Sequence, residues 1–257
     1  MHRPKISPLL LTVLIFSASV FAAAQANQAR FFPVPERLAL NGIGESDPNE
    51  EDTPAKLMTE NFYPIGWSRD GKFAYLVEPP DEACGCYFAE FVIQDLKTDK
   101  ILFKERYSSD GLEKPEEENL GSFWPKRQKV YSARLNQHRI EPIGDAHLMH
   151  PAINFEGDVL TSKLDIKIET DGVFEVEGTV TLTMTSAKRG SKVIRRDVYK
   201  RKDVNGFRDA EITGSLKSPF ESRVAVILVE VMRGWEGPPN TTSIKVTGAS
   251  LTTGFKK

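Results

Sequence analysis

The stretch Phe62-Tyr63-Pro64-Ile65-Gly66-Trp67-Ser68-Arg69-Asp70-Gly71-Lys72-Phe73-Ala74-Tyr75-Leu76-Val77-Glu78 holds two apolar runs on either side of an Asp-Gly turn. Tyr63, Ile65 and Trp67 alternate before the turn and Phe73, Tyr75 and Val77 after it. Alternation with a period of two marks a strand with one buried face. A hairpin has to bring both odd-numbered sets to the same face, because a slip of one residue inverts every side chain. A two-residue Asp70-Gly71 loop would pair odd with even positions. A three-residue loop, Arg69-Asp70-Gly71 with Gly71 left-handed, sets Trp67 opposite Phe73 and keeps the match.

Two further strand-like runs follow, Tyr87–Leu96 and Ile101–Tyr107, so residues 61–107 read as a four-stranded antiparallel sheet. The hexapeptide Trp67-Ser68-Arg69-Asp70-Gly71-Lys72, with Phe91-Val92-Ile93-Gln94-Asp95-Leu96-Lys97-Thr98-Asp99-Lys100 after it, resembles one repeat of the TolB-type (PD40-like) β-propeller family. The resemblance implies one blade, with Asp99 standing where the family has Gly. A propeller needs about four blades or more, and an isolated repeat cannot bury its own faces. With a single repeat in the chain, the expectation is a blade-like sheet packed against the remaining sequence, without a propeller's partner-binding rim.

Beyond the blade the period changes. Between 112 and 140, Leu120, Trp124, Tyr131 and Leu135 recur near helical spacing among Lys, Arg, Glu and Gln, which predicts one amphipathic helix covering a sheet face. Pro125 suits a first turn, so the regular part is expected from Phe123–Pro125 to about Gln137. Residues 151–257 return to strands. Ile166 and Ile168, then Phe174, Val176, Val180, Leu182 and Met184, fall on even positions around Thr170-Asp171-Gly172 and predict a second three-residue hairpin. Lys192–Tyr199, Ala210–Leu216, Arg223–Met232 and Ser243–Leu251 complete the expected C-terminal antiparallel sheet. Val224 to Val229 is apolar on both faces and suits a central strand. The fold class is α+β, predominantly antiparallel β. Ser218 to Ile227, followed by Gly234-Trp235-Glu236-Gly237, resembles a tail of secreted bacterial proteins to which no activity is assigned, and that resemblance implies export without a chemistry.

At the other end, residues 1–26 carry Arg3 and Lys5, an apolar run from Leu9 to Phe21 and small residues up to Ala26, the pattern of a cleaved secretory signal peptide. The run is shorter than the ~20 residues a spanning helix needs. Export to the periplasm or the extracellular space is expected, with no membrane span after cleavage. Residues 27–60 form an acidic N-terminal segment, and its Glu45 to Asp52 run reads as a solvated loop, since Asp52 occupies the sixth position that a calcium loop gives to Gly. The 257 residues carry 34 Lys+Arg against 36 Asp+Glu, and this near balance argues against a phosphate-tracking partner, so no nucleic acid is expected. Asn240-Thr241-Thr242 fits a glycosylation acceptor, relevant only in a eukaryotic pathway.

The candidate chemistry is sparse. Cys84-Gly85-Cys86 holds both cysteines of the chain, and an oxidising compartment favours their pairing as a structural or redox disulfide. His138, His147 and His150, with Asp145 nearby, offer ligand types suited to zinc or copper but no zinc-type spacing. Trp235 in a turn-rich loop can stack on a carbohydrate, a peptide or a partner, or cover a sheet end. Lys188-Arg189, Arg195-Arg196 and Lys200-Arg201-Lys202 make a local basic patch able to meet an acidic glycan or a lipid headgroup, or to solvate a strand face. Asn205-Gly206 reads as a turn. No nucleophile elbow, zinc-protease helix, phosphate loop or Ser-x-x-Lys occurs, and no motif asks for a cofactor. The expected function is non-enzymatic binding in the cell envelope, to a protein or a glycan. The alternative is metal binding or thiol redox chemistry through Cys84/Cys86 and His147/His150.

Overall fold

Trp67 stands directly opposite Phe73, and Gly71 has a φ of 91°. The three-residue loop Arg69-Asp70-Gly71 is thus the one the register demands. Ser68 closes it, its amide donating to the Lys72 carbonyl at 2.9 Å and its hydroxyl to Asp70 at 2.6 Å. The computed structural model describes residues 30–40, 57–144, 146–170, 175–200, 206–235 and 239–257. The chain divides into two units, Met1–Phe31 and Phe32–Lys257. Arg30 and Phe31 are the described residues of the first, and all the elements below belong to the second.

Half of the expected face assignment is corrected. In the pairing of β1 (Asn61–Trp67) with β2 (Lys72–Glu78), Phe62 lies opposite Val77 and Pro64 opposite Tyr75, but Gly66 lies opposite Ala74. Ile65 is the extra residue of a β-bulge. Phe62 and Trp67 therefore share the face of Phe73, Tyr75 and Val77, whereas Tyr63 and Ile65 turn to the other face with Ala74 and Leu76. Pro64 has no N–H for the ladder, and a bulge is where a strand tolerates that loss.

With β3 (Phe88–Asp95) and β4 (Lys100–Ser108) the hairpin extends into the expected four-strand meander, and a two-residue β5 (Glu141–Pro142) adds a fifth strand beside β1. Helix α1 (Leu120–Gln137) covers one face of this first sheet. Phe123, Trp124, Tyr131 and Leu135 are its buried residues, with Phe91 stacked on Tyr131 at 4.2 Å. The helix starts earlier than Pro125 suggests. Asn119 caps it, accepting from the Ser122 amide at 3.2 Å while Ser122 Oγ accepts from the Asn119 amide at 3.0 Å. This reciprocal cap satisfies two orphan N–H groups and carries the helix through a first turn without the proline.

The C-terminal region forms two antiparallel sheets rather than one. β10 (Phe207–Lys217), β11 (Arg223–Met232) and β12 (Thr241–Ser250) make a three-stranded sheet with β11 central. β6 (Ala152–Phe155), β7 (Asp158–Thr170), β8 (Glu175–Ser186) and β9 (Gly190–Lys200) make the third sheet. Ala225 and Ile227 of β11 pack toward the first sheet, on Trp67, Phe73 and Tyr75; Val224, Val226 and Leu228 pack toward the third, on Leu160, Leu182 and Val180. The strand is apolar on both faces because it is the middle of a stack running helix, sheet, sheet, sheet. Each fully buried large side chain there contributes roughly 1.5–3 kcal/mol. In the long hairpin even positions do face even ones, Ile166 with Val180 and Leu164 with Leu182, but the expected three-residue Thr170-Asp171-Gly172 loop is corrected. Thr170 is the last residue of β7 and pairs with Glu175 after a shift at Glu169, and Ile168 lies opposite Gly178 instead of Phe174. Residues 171–174, between the paired Thr170 and Glu175, lie outside the described residues, as do residues 1–26 and the acidic run 45–52.

Candidate functional site

On β3, Phe88, Glu90 and Val92 share a face by strand alternation. Val92 is buried in the core between the first two sheets, whereas Phe88 and Glu90 line an open pocket of about 410 Å³. Pro79, Pro80, Ala83 and Cys84 form its second side, Tyr107 and Arg106 of β4 its third, and Trp235, just past the end of β11, overhangs it. The Trp235 side chain is 87% exposed, against 0% for Trp67 and Trp124.

The wall from Asp81 to Cys86 is held by a single carboxylate. Asp81 accepts from the amides of Ala83 at 3.2 Å, Cys84 at 3.1 Å and Cys86 at 3.2 Å, and from that of Gly85. Burial pushes the Asp81 carboxyl up, but these four N–H groups outweigh it and hold the group below the usual carboxylate range. Within that loop the sulfurs of Cys84 and Cys86 are bonded, 2.02 Å apart, with Cα atoms at 5.2 Å. Cys84 is exposed and lines the pocket; Cys86 is buried beneath it. Glu82 then joins the loop to the tryptophan, its Oε2 accepting from the Trp235 amide at 2.7 Å. Glu90 is matched by Lys104 and Arg106, each at 2.5 Å.

Of the residues singled out from the sequence, the fold brings Cys84, Cys86 and Trp235 together across 149 and more residues of chain. The histidines stay apart from them. His138 caps the C-terminus of α1, partly buried, and its pKa is lowered first by burial and then by the charges of Lys72 and Arg134. His147 and His150 are exposed on the segment between β5 and β6, and Asp145 lies outside the described residues. Among the described residues no three His, Cys, Asp or Glu side chains gather in a way that holds a metal ion. Part of the basic patch is internally paired: Arg189 donates to the Leu251 carbonyl, Arg195 pairs with Asp197 and Lys200 with Glu177. Residues 201–205 lie outside the described residues.

Sequence reasoning missed Asp81, Glu82, Tyr107 and Arg106. Asp81 had a signal, an Asp three residues before a Cys-Gly-Cys turn, since Asp side chains bond amides just downstream. Glu82 had none, because its partner is an amide 153 positions away.

Compared with family models, with curated proteins and with solved structures, the chain matches none of them. The pocket combines an exposed indole and a phenyl ring with two prolines and a disulfide in the wall, while the Tyr107 ring packs on Phe123 on the helix side of the sheet. Among the described residues it offers no nucleophile paired to a base. No helix among them is long and apolar enough to cross a membrane.

Proposed function

We propose that the protein is exported and binds a small ligand, or a side chain presented by an envelope partner, in the pocket beneath Trp235. One observation carries this reading: a nearly fully exposed indole is fixed at its backbone over a cavity lined by Phe88, Pro79 and Pro80 instead of packing on a sheet end. Exposed aromatics over a preformed concavity are a usual arrangement for ligand recognition. Export rests on the signal-like residues 1–26, and the Cys84–Cys86 pair suits an oxidising compartment. A neutral environment-sensitive dye, N-phenyl-1-naphthylamine, tests the pocket. Its emission should rise with saturation at one site per chain, and Trp235→Ala should weaken binding at least ten-fold at unchanged melting temperature. Equal binding by the variant would refute the reading.

Thiol exchange is the second reading, favoured by the exposure of Cys84 on the pocket wall. A thiolate attacking Cys84 would form a mixed disulfide and release Cys86 as the leaving thiolate. Incubation of Cys86→Ser protein with glutathione disulfide tests it: the Cys84 thiolate should attack the disulfide, keep one glutathione as a mixed disulfide and release the other as the thiolate, and absence of any mixed disulfide at Cys84 would exclude the reading.

A further inference from the structure

We infer that the pocket is selective for an organic cation with an apolar body, such as an alkyl- or aryl-ammonium group. The inference rests on the binding reading above and adds the ligand's charge. Three carboxylates and one guanidinium line the cavity, and they are not equivalent. Asp81 spends its oxygens on four amides of its own loop. Glu90 is neutralised by Lys104 and Arg106 together. That leaves Glu82, whose Oε2 takes the Trp235 amide and whose other oxygen bonds no described residue.

The uncompensated negative charge therefore sits beside the exposed indole. An indole face attracts a cation through its quadrupole, best of all the aromatic side chains, and a neighbouring carboxylate adds a Coulomb attraction of the same sign. Phe88 and the two prolines provide the apolar surface for the rest of the ligand. An anionic ligand would meet Glu82 unscreened, and Arg106, the lining cation, is already paired with Glu90. A neutral ligand would gain the apolar contact alone.

Competition against the bound dye separates charge from shape. Phenyltrimethylammonium, the isosteric neutral tert-butylbenzene and benzenesulfonate differ in charge at similar size. The cation should displace the dye at a concentration at least ten-fold below that of the neutral compound, and benzenesulfonate should be the weakest. Glu82→Gln keeps an acceptor for the Trp235 amide and should erase most of the cation's advantage over the neutral compound. Equal displacement by the cation and the neutral compound, with dye binding intact, would overturn the charge inference and leave the apolar pocket standing. Dye binding that does not depend on Trp235 would overturn both.

Discussion

Asp99 Oδ1 accepts the amide of Gly248 at 2.7 Å, tying the turn between β3 and β4 to the free edge of β12. Asp99 has a φ of 56°, the left-handed region that favours glycine. Its second oxygen accepts from Thr247 Oγ1, and Gln94 reaches both Asp99 and the Val246 carbonyl, the latter at 3.0 Å. Further along the same edge Glu60 accepts from the Ile244 amide, and the Thr242 amide donates to the Met58 carbonyl at 3.0 Å. An edge strand left bare would be a template for aggregation; here side chains of the first sheet and its approach segment occupy it. Gly248 permits this closeness, because a Cβ there would run into the Leu96 carbonyl.

Asp99→Gly should relax the backbone yet lower stability by ~1–3 kcal/mol, since it leaves the Gly248 amide and the Thr247 hydroxyl without their acceptor. Asp99→Asn should cost less, because Asn tolerates the left-handed region and retains an acceptor. Urea unfolding of the two variants checks the order.

Gly71→Val should destabilise by ~1–3 kcal/mol, because a β-branched residue is strained at a φ of 91°. Thermal unfolding measures it; a melting temperature equal to wild type would contradict the turn assignment.

Glu60 gives a pH dependence with a definite sign. Burial is the main cause that raises its pKa from 4.5 to about 7, against the Ile244 amide, which lowers it. The folded state then holds a proton that the unfolded state has lost between those values. Its stabilising contribution is fully present below pH 4.5 and disappears as pH rises through 7. Glu60→Gln should be more stable than wild type at pH 8 and close to it at pH 4.5, read as the gap between denaturation midpoints at the two pH values.

The Cys84→Ser/Cys86→Ser variant should stay folded with a small loss of melting temperature, because a ring this short removes far less unfolded-state entropy than the ~3 kcal/mol of a fifteen-residue loop. Asp81 still holds the loop through four amides. Calorimetry of oxidised wild type and the double variant tests this; global unfolding of the variant would show that the disulfide, not Asp81, shapes the wall.

Much of the fold was legible in the sequence for local reasons. The Trp67–Phe73 register followed from alternation plus an Asp-Gly turn, and β11 announced itself by being apolar on both faces. What was hidden depends on partners far away in the chain. The bulge at Ile65 reverses the face of Tyr63 without changing the spacing, and Pro125 masked a helix start set by the Asn119–Ser122 cap. The division of the C-terminal half into two sheets depends on which face of β11 each strand covers. Within the site, Cys84 and Trp235 were visible as unusual residues, but their meeting was not, because the strands that carry them belong to different sheets.

The most direct test is the indole region of a proton–nitrogen NMR spectrum, where the three tryptophans give separate signals. On titration with phenyltrimethylammonium the Trp235 signal, assigned by its loss in Trp235→Phe, should shift progressively and saturate, while those of buried Trp67 and Trp124 stay in place. A Trp235 signal unmoved by the cation, and unmoved by the neutral dye as well, would contradict a binding site at this pocket.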